Sequence, residues 1–179
     1  MISEPYLASE DSAFLRSVLA AYTGDRCLEI GAGNGGNLLD LSRRFAKVVG
    51  TDILRPAMAD WKDRGADYVL ADLAACLRDG TFDLVAFNPP YLRTEESKDV
   101  AVEGGLGLEV PERFLVEALR VVKPSGSIVM LLNNDADVEP FRRICAGKGF
   151  VLRKATSRRM FFEELSVYVA SASGDFENV

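Results

Sequence analysis

The stretch that most limits what this chain can become runs from Arg26 to Gly36. A short strand-like run, Arg-Cys-Leu-Glu-Ile, leads directly into Gly31-Ala32-Gly33-Asn34-Gly35-Gly36, and Leu38, Leu39 and Leu41 follow as the inward face of a helix. Strand, glycine turn and helix in that order open a βαβ unit, in which the absence of Cβ atoms lets the turn backbone approach a ligand at the helix amino terminus. The rest of the chain repeats the alternation. Strands are expected over 47–52, 67–72, 82–87 and 127–132, with Lys123–Gly126 as the turn before the last of these. Helices are expected over 9–22, after the glycine loop, and over 56–64, 111–122 and 135–148. Two more strands, 150–154 and 165–170, read as an antiparallel pair joined by a basic loop, 155–164. The fold class is therefore α/β and Rossmann-like. It has a seven-stranded, mostly parallel sheet, helices on both faces and a C-terminal antiparallel strand pair.

Two acids stand where such a sheet places its ligand, at the carboxyl ends of strands. Asp52 ends the second strand about 20 residues past the glycine loop, where a carboxylate can accept hydrogen bonds from ribose hydroxyls. Asp72 ends the third. The fourth strand, Phe82–Phe87, runs into Asn88-Pro89-Pro90-Tyr91. Neither proline has an N–H and both have a fixed φ, so the chain leaves the sheet extended. The Asn88 side-chain oxygen and the Pro89 carbonyl are then available as paired acceptors beside the Tyr91 ring, an arrangement that suits a planar N–H₂ group. A long polar segment, 92–110, follows and has the composition of a lid.

Bulk properties narrow the class further. With 179 residues, 48% of them hydrophobic, the chain has the size of one domain, 1–179. Its net charge of −6 argues against a duplex DNA footprint. The charge is uneven, because Arg142, Arg143, Lys148, Arg153, Lys154, Arg158 and Arg159 lie in a segment with no acid, and this segment, 142–159, keeps RNA among the partners to weigh. There is no histidine, and Cys27, Cys76 and Cys145 are far apart, so no metal site is expected and the cysteines read as buried free thiols. The first residues lack a charged and then apolar leader, and no run is apolar enough to span a bilayer, so a cytoplasmic protein with no membrane partner is expected.

Glu29-x-Gly31-x-Gly33-x-Gly35, Asp52, Asp72 and Asn88-Pro89-Pro90-Tyr91 together resemble the S-adenosylmethionine-dependent amino-methyltransferases. Ser9-Glu10-Asp11-Ser12-x-Phe14-Leu15, Glu103-Gly104-Gly105-x-Gly107 and Glu164-Leu165-Ser166-Val167 extend the resemblance to the short HemK-type protein-glutamine methyltransferases of archaea and eukaryotes. Ala8 stands where that helix motif often has proline, and Asn34 interrupts the loop. The resemblance implies a class I methyltransferase fold and S-adenosylmethionine as cofactor. It also implies methyl transfer to the glutamine side chain of the Gly-Gly-Gln motif in a class-1 translation release factor. In that reading Asn88, Pro89 and Tyr91 are catalytic. Glu29, Gly31, Gly33, Gly35, Asp52, Asp72, Leu73, Asn88 and Ser12 contact the cofactor, Asp52 at the ribose and Asp72 with the following backbone at the adenine. It further implies a small zinc-binding activator subunit, which the apolar residues of strand 67–71 would receive if that strand lies at a sheet edge.

Two other readings share features with this one. Gly31-x-Gly33-x-x-Gly36 also satisfies the dinucleotide fingerprint, but a dehydrogenase lacks support from any His or Ser/Tyr/Lys set. The Asn-Pro-Pro-Tyr acceptors would serve an exocyclic amine of adenine, cytosine or guanine equally well, so a nucleic-acid amino-methyltransferase is the alternative.

Overall fold

The computed structural model describes residues 10–54, 65–90, 109–134, 136–160 and 163–172. Their order is α1 (Glu10–Leu19), β1 (Gly24–Ile30), α2 (Gly36–Leu41), β2 (Phe45–Asp52), β3 (Asp67–Leu70), β4 (Phe82–Phe87), α3 (Glu109–Val121), β5 (Val122–Asn133), α4 (Glu139–Ala146), β6 (Phe150–Met160) and β7 (Glu163–Ala172). The strands form one seven-stranded sheet in the order β3-β2-β1-β4-β5-β7-β6. β1 pairs in parallel with β2 and β4, β2 with β3 and β4 with β5, whereas β7 runs antiparallel to both β5 and β6. The expected architecture is thus present. The expected helix over 56–64 and most of the lid, together with Tyr91, lie outside the described residues; Glu109 and Val110, the end of that lid, belong to α3.

Alternation along the central strands sorts the side chains into two cores. Leu28, Ile30, Val85, Phe87, Ile128 and Met130 pack with Phe114 and Leu115 of α3 and Phe141 of α4. Cys27, Leu84, Ala86, Val129 and Leu131 face the opposite way, onto Phe14 and Leu15 of α1 and Leu38 and Leu41 of α2. Burial on both faces explains why these strands are continuous apolar runs. It also sets Glu29, between Leu28 and Ile30, on the α1/α2 face.

Several boundaries differ from expectation for local reasons. α1 stops at Leu19, where the amides of Ala21 and Tyr22 turn back to the carbonyls of Val18 and Leu19. α4 begins at Glu139 because Pro140 sets the first turn and Asp137 Oδ1 accepts from the Glu139 N–H at 3.1 Å. β3 ends at Leu70, short of Asp72. Lys123–Gly126 is no turn: it lies inside β5 as a bulge, the pairing stepping from Phe82–Val122 to Leu84–Ser127. Gly126 permits this, since a Cβ there would stand 2.8 Å from the Asp83 carbonyl oxygen.

The basic loop expected over 155–164 is also strand. β6 continues to Met160 and β7 starts at Glu163, with a pairing shift between Lys154 and Thr156. Several cations of the basic segment 142–159 have intramolecular partners. Arg142 donates to the Leu152 carbonyl at 2.9 Å, Lys154 to Asn134 Oδ1 at 3.0 Å, and the Arg158 guanidinium sits 4.8 Å from the centre of the Phe14 ring. Cys27 and Cys145 are buried as expected, but Cys76, in the turns after β3, is exposed. No described helix is long and apolar enough to cross a membrane.

Candidate active site

The strand order reverses between β1 and β4, and a cavity of about 690 Å³ opens at the carboxyl ends of these strands, where doubly wound sheets bind ligands. Its wall includes Glu29, the Gly31–Gly33 backbone, Asp52, Asp72, Asn88 and Pro89. Residues separated widely along the chain therefore converge, with Ser12 and Leu73 also lining the space. Gly35 stands behind them at the amino-terminal cap of α2. Tyr91 lies outside the described residues.

The glycine loop owes its shape to backbone angles that L side chains avoid. Gly31, Gly33 and Gly35 have φ of 72°, 53° and 71°. The carbonyl of Thr51 accepts from the amides of Gly31 and Ala32 at 2.8 and 2.9 Å, pinning the loop to the end of β2. A Cβ on Gly31 would lie 3.3 Å from the Phe114 ring, whereas one on Gly33 would meet nothing within 4 Å, so the loop backbone is open to the cavity at Gly33.

Asp52 supports the same loop. Its Oδ2 accepts from the Gly33 N–H at 2.8 Å and its Oδ1 from the Leu54 N–H at 2.9 Å. Each oxygen retains acceptor capacity, so the carboxylate can still receive hydroxyls. Asp72 is more exposed and is ion-paired with Arg113 at 3.0 Å. Leu73 beside it has φ of 50°, a left-handed backbone rare for a leucine, and it sits at the cavity wall. The following turn is tied to α3 by Arg120, which donates to the carbonyls of Leu77 and Ala74 at 2.9 and 2.7 Å.

Glu29 is the least solvated acid of the site, 4% exposed. Its Oε1 accepts from Asn37 Nδ2 at 2.6 Å, and Oε2 has no partner among the described residues. Arg16 Nε donates to Asn37 Oδ1 at 3.1 Å and pairs with Asp40 at 3.2 Å, so a chain of contacts runs from α1 through α2 to the buried carboxyl. Burial pushes the Glu29 carboxyl up to about 7, against the Asn37 hydrogen bond and the Arg16 charge, which pull it down. A desolvated carboxylate with an unused oxygen is a receptor for a cationic group. A ligand carrying an ammonium there prefers the ionised form, so its affinity rises with pH up to about 7 and levels off above. Calorimetric titration of S-adenosylhomocysteine at several pH values checks this, and Glu29→Gln is expected to flatten the profile as well as weaken binding.

Asn88 donates through Nδ2 to Asp11 Oδ2 at 2.9 Å, and its Oδ1 is buried without a partner among the described residues. An amide with one end tied and the acceptor end unused is poised for a donor that arrives with a ligand. Sequence reasoning quoted Asp11 only within the α1 motif and gave no role to Asp11, Arg16 or Asn37. The available sign for two of them was position: Asp11 precedes Leu15 and Val18 by helical spacing, and Asn37 shares the inward face of α2 with Leu38 and Leu41.

A sheet in this order, closed by an antiparallel pair and holding its cavity between a glycine loop and an Asn-Pro-Pro strand end, defines an enzyme of methyltransferase architecture. The chain belongs to the family described as "Methyltransferase domain", which matches residues 28–130. It is 29% identical over 178 residues to a Methanocaldococcus jannaschii protein provisionally named a protein N5-glutamine methyltransferase, covering 92% of this chain and 90% of that one. It is 32% identical over 130 residues to the release factor glutamine methyltransferase of Caulobacter vibrioides, covering 60% of this chain but only 45% of that longer relative. Among solved structures, the E. cuniculi Mtq2–Trm112 complex, responsible for methylation of the eRF1 translation termination factor, aligns with a TM-score of 0.71 and 26% identity, covering 94% of this chain and 98% of that one.

Proposed function

We propose that the chain is an S-adenosylmethionine-dependent methyltransferase that modifies the side-chain amide nitrogen of a protein glutamine, the one in the Gly-Gly-Gln motif of a class-1 release factor. The observation that carries this reading is the buried Asn88 Oδ1, without a partner among the described residues, beside Pro89 at the cavity wall. The cofactor supplies, when bound, an electrophilic methyl group on a sulfonium. Its residues of contact are Glu29 at the ammonium, the Gly31–Gly33 backbone along the methionine part, Asp52 at the ribose, and Asp72 with Leu73 at the adenine. Ser12 lines the same space.

An amide nitrogen is a weak nucleophile because its lone pair is shared with the carbonyl. Asn88 Oδ1 and the Pro89 carbonyl accept its two N–H bonds and hold it in one orientation. Positive charge that grows on the nitrogen strengthens both hydrogen bonds, so these fixed dipoles favour the transition state over the ground state. The surplus proton leaves to water after transfer, and no histidine or other strong base is required. Tyr91 covers the planar acceptor group in this reading.

The proposal includes a small zinc-binding activator subunit docked along β3; the similar Mtq2 structure is that of a complex with a second protein, Trm112. This strand is the last in the sheet order, with β2 on one side only among the described residues. Leu70 on it is 58% exposed, and Ile53 and Leu54 just past β2 are 69% and 71% exposed. Large apolar side chains in water next to a strand edge favour cover by another chain.

The test is intact-mass analysis of a class-1 release factor incubated with S-adenosylmethionine and the chain, with and without activator. A gain of one methyl that requires the motif glutamine supports the reading. No gain from a preparation that binds S-adenosylhomocysteine overturns it and turns attention to tRNA and rRNA as acceptors.

A further inference from the structure

Asn88 is the first residue past β4, and the alternation of that strand decides where it points. Leu84 and Ala86 face α1 and α2, Val85 and Phe87 face α3, so Asn88 continues the α1 side. There its Nδ2 meets Asp11 Oδ2 at 2.9 Å. Asp11 is itself held, its Oδ1 accepting from the backbone N–H of Ser12 at 2.8 Å. The helix below it is fixed by buried Phe14 and Leu15, with Arg158 of β6 stacked on Phe14.

The two ends of an asparagine amide have nearly the same shape, and a rotation about its last bond exchanges acceptor for donor. A carboxylate has only acceptor oxygens, so it admits the N–H₂ end alone. We propose that Asp11 is a positioning residue that locks the Asn88 amide with Oδ1 toward the cavity. The idea rests on the proposed role of Asn88 as acceptor for a substrate N–H₂. An Asn88 turned the other way would set donor against donor and hold the substrate nitrogen out of line. Asp11 also lines the cavity, so an unchanged affinity for S-adenosylhomocysteine is what separates action through Asn88 from a direct contact.

The experiment uses the full chain with its activator, the release factor and S-adenosylmethionine, comparing wild type with Asp11→Ala, Asp11→Asn, Asn88→Ala and the Asp11→Ala/Asn88→Ala double variant. Asp11→Ala is expected to lower kcat roughly 10- to 100-fold, with KM for the factor and Kd for S-adenosylhomocysteine essentially unchanged. Asp11→Asn keeps an oxygen that can accept from Asn88 and should recover part of the rate. In the Asn88→Ala background the loss of Asp11 should add nothing. A nitrogen–proton correlation spectrum of the full chain provides a readout independent of turnover: the Asn88 side-chain resonances, identified by their absence in Asn88→Ala, should move in Asp11→Ala. Losses that multiply in the double variant, an affinity for S-adenosylhomocysteine that falls in step with kcat, or an unmoved Asn88 resonance would overturn the inference. If the wild type methylates no factor, the functional reading fails, and the resonance still reports whether Asp11 holds Asn88.

Discussion

Replacing Asn88 by alanine is expected to lower kcat by roughly 100- to 1,000-fold, the cost of removing one preorganised group from a site where charge develops. Among the described residues, Asn88 Oδ1 and Glu29 Oε2 are the buried side-chain oxygens at the cavity wall that lack a partner, so removing Asn88 takes away one of the two acceptors proposed for the substrate nitrogen and leaves the Pro89 carbonyl. The alanine methyl fills little of the space, and water entering there would be mobile and unable to reproduce a fixed dipole. Stability should change little, because Asn88 is only partly buried and follows the end of β4. Single-turnover methyl transfer, measured beside calorimetric binding of S-adenosylhomocysteine, separates the two roles proposed for Asn88. A loss of rate at constant affinity marks it as catalytic; parallel losses would mark it as a cofactor contact instead.

Phe87→Ala should act through stability. Phe87 is fully buried, one residue before Asn88, and its ring centroid lies 5.6 Å from that of Phe114 at an interplanar angle of 46°. Removing such a ring costs about 3–5 kcal/mol, the lost transfer free energy plus the cavity left behind. For a chain of this size the melting temperature should fall by about 10 °C or more. The damage reaches the site because Phe114 also braces Gly31, so a loosened Phe114 leaves the glycine loop less well supported. Phe87→Leu should cost far less, since it restores most of the volume. Thermal melts of both variants, with and without S-adenosylhomocysteine, check this; equal melting temperatures for the alanine and leucine variants would mean that the core closes over the gap.

Much of this architecture could be read from residues alone because central strands buried on two faces leave an unambiguous mark. Leu84-Val85-Ala86-Phe87 and Ile128-Val129-Met130-Leu131 have no polar interruption, and the positive φ angles at 31, 33 and 35 are ones that glycine adopts without strain. β6 left no such mark. It is a terminal strand with Arg153 to Arg159 exposed, and its bulge past Lys154 shifts the alternation by one, so neither hydrophobicity nor period distinguishes it from a loop. The bulge in β5 was hidden for a related reason, since Lys-Pro-Ser-Gly is the composition of a turn and only the neighbouring strand shows it to be paired. At the site, the positions at strand ends were legible because βα topology puts them there. Asp11, Arg16 and Asn37 were not, because their roles arise from contacts between elements, such as the bond that spans 77 residues from Asp11 to Asn88.

The place of β7 has a consequence for the order in which the protein can be made. β7 follows β6 in the chain yet lies between β5 and β6 in the sheet. While the polypeptide emerges from the ribosome, β5 is therefore complete well before its outer neighbour exists, and Ile128–Leu132, fully buried in the finished fold, present an unpaired apolar edge. β6 cannot cover that edge first without taking the position of β7. The last ten residues of ordered strand, Glu163–Ala172, thus act as the closing stave of the sheet, and a nascent chain released before they are synthesised carries an open template for aggregation.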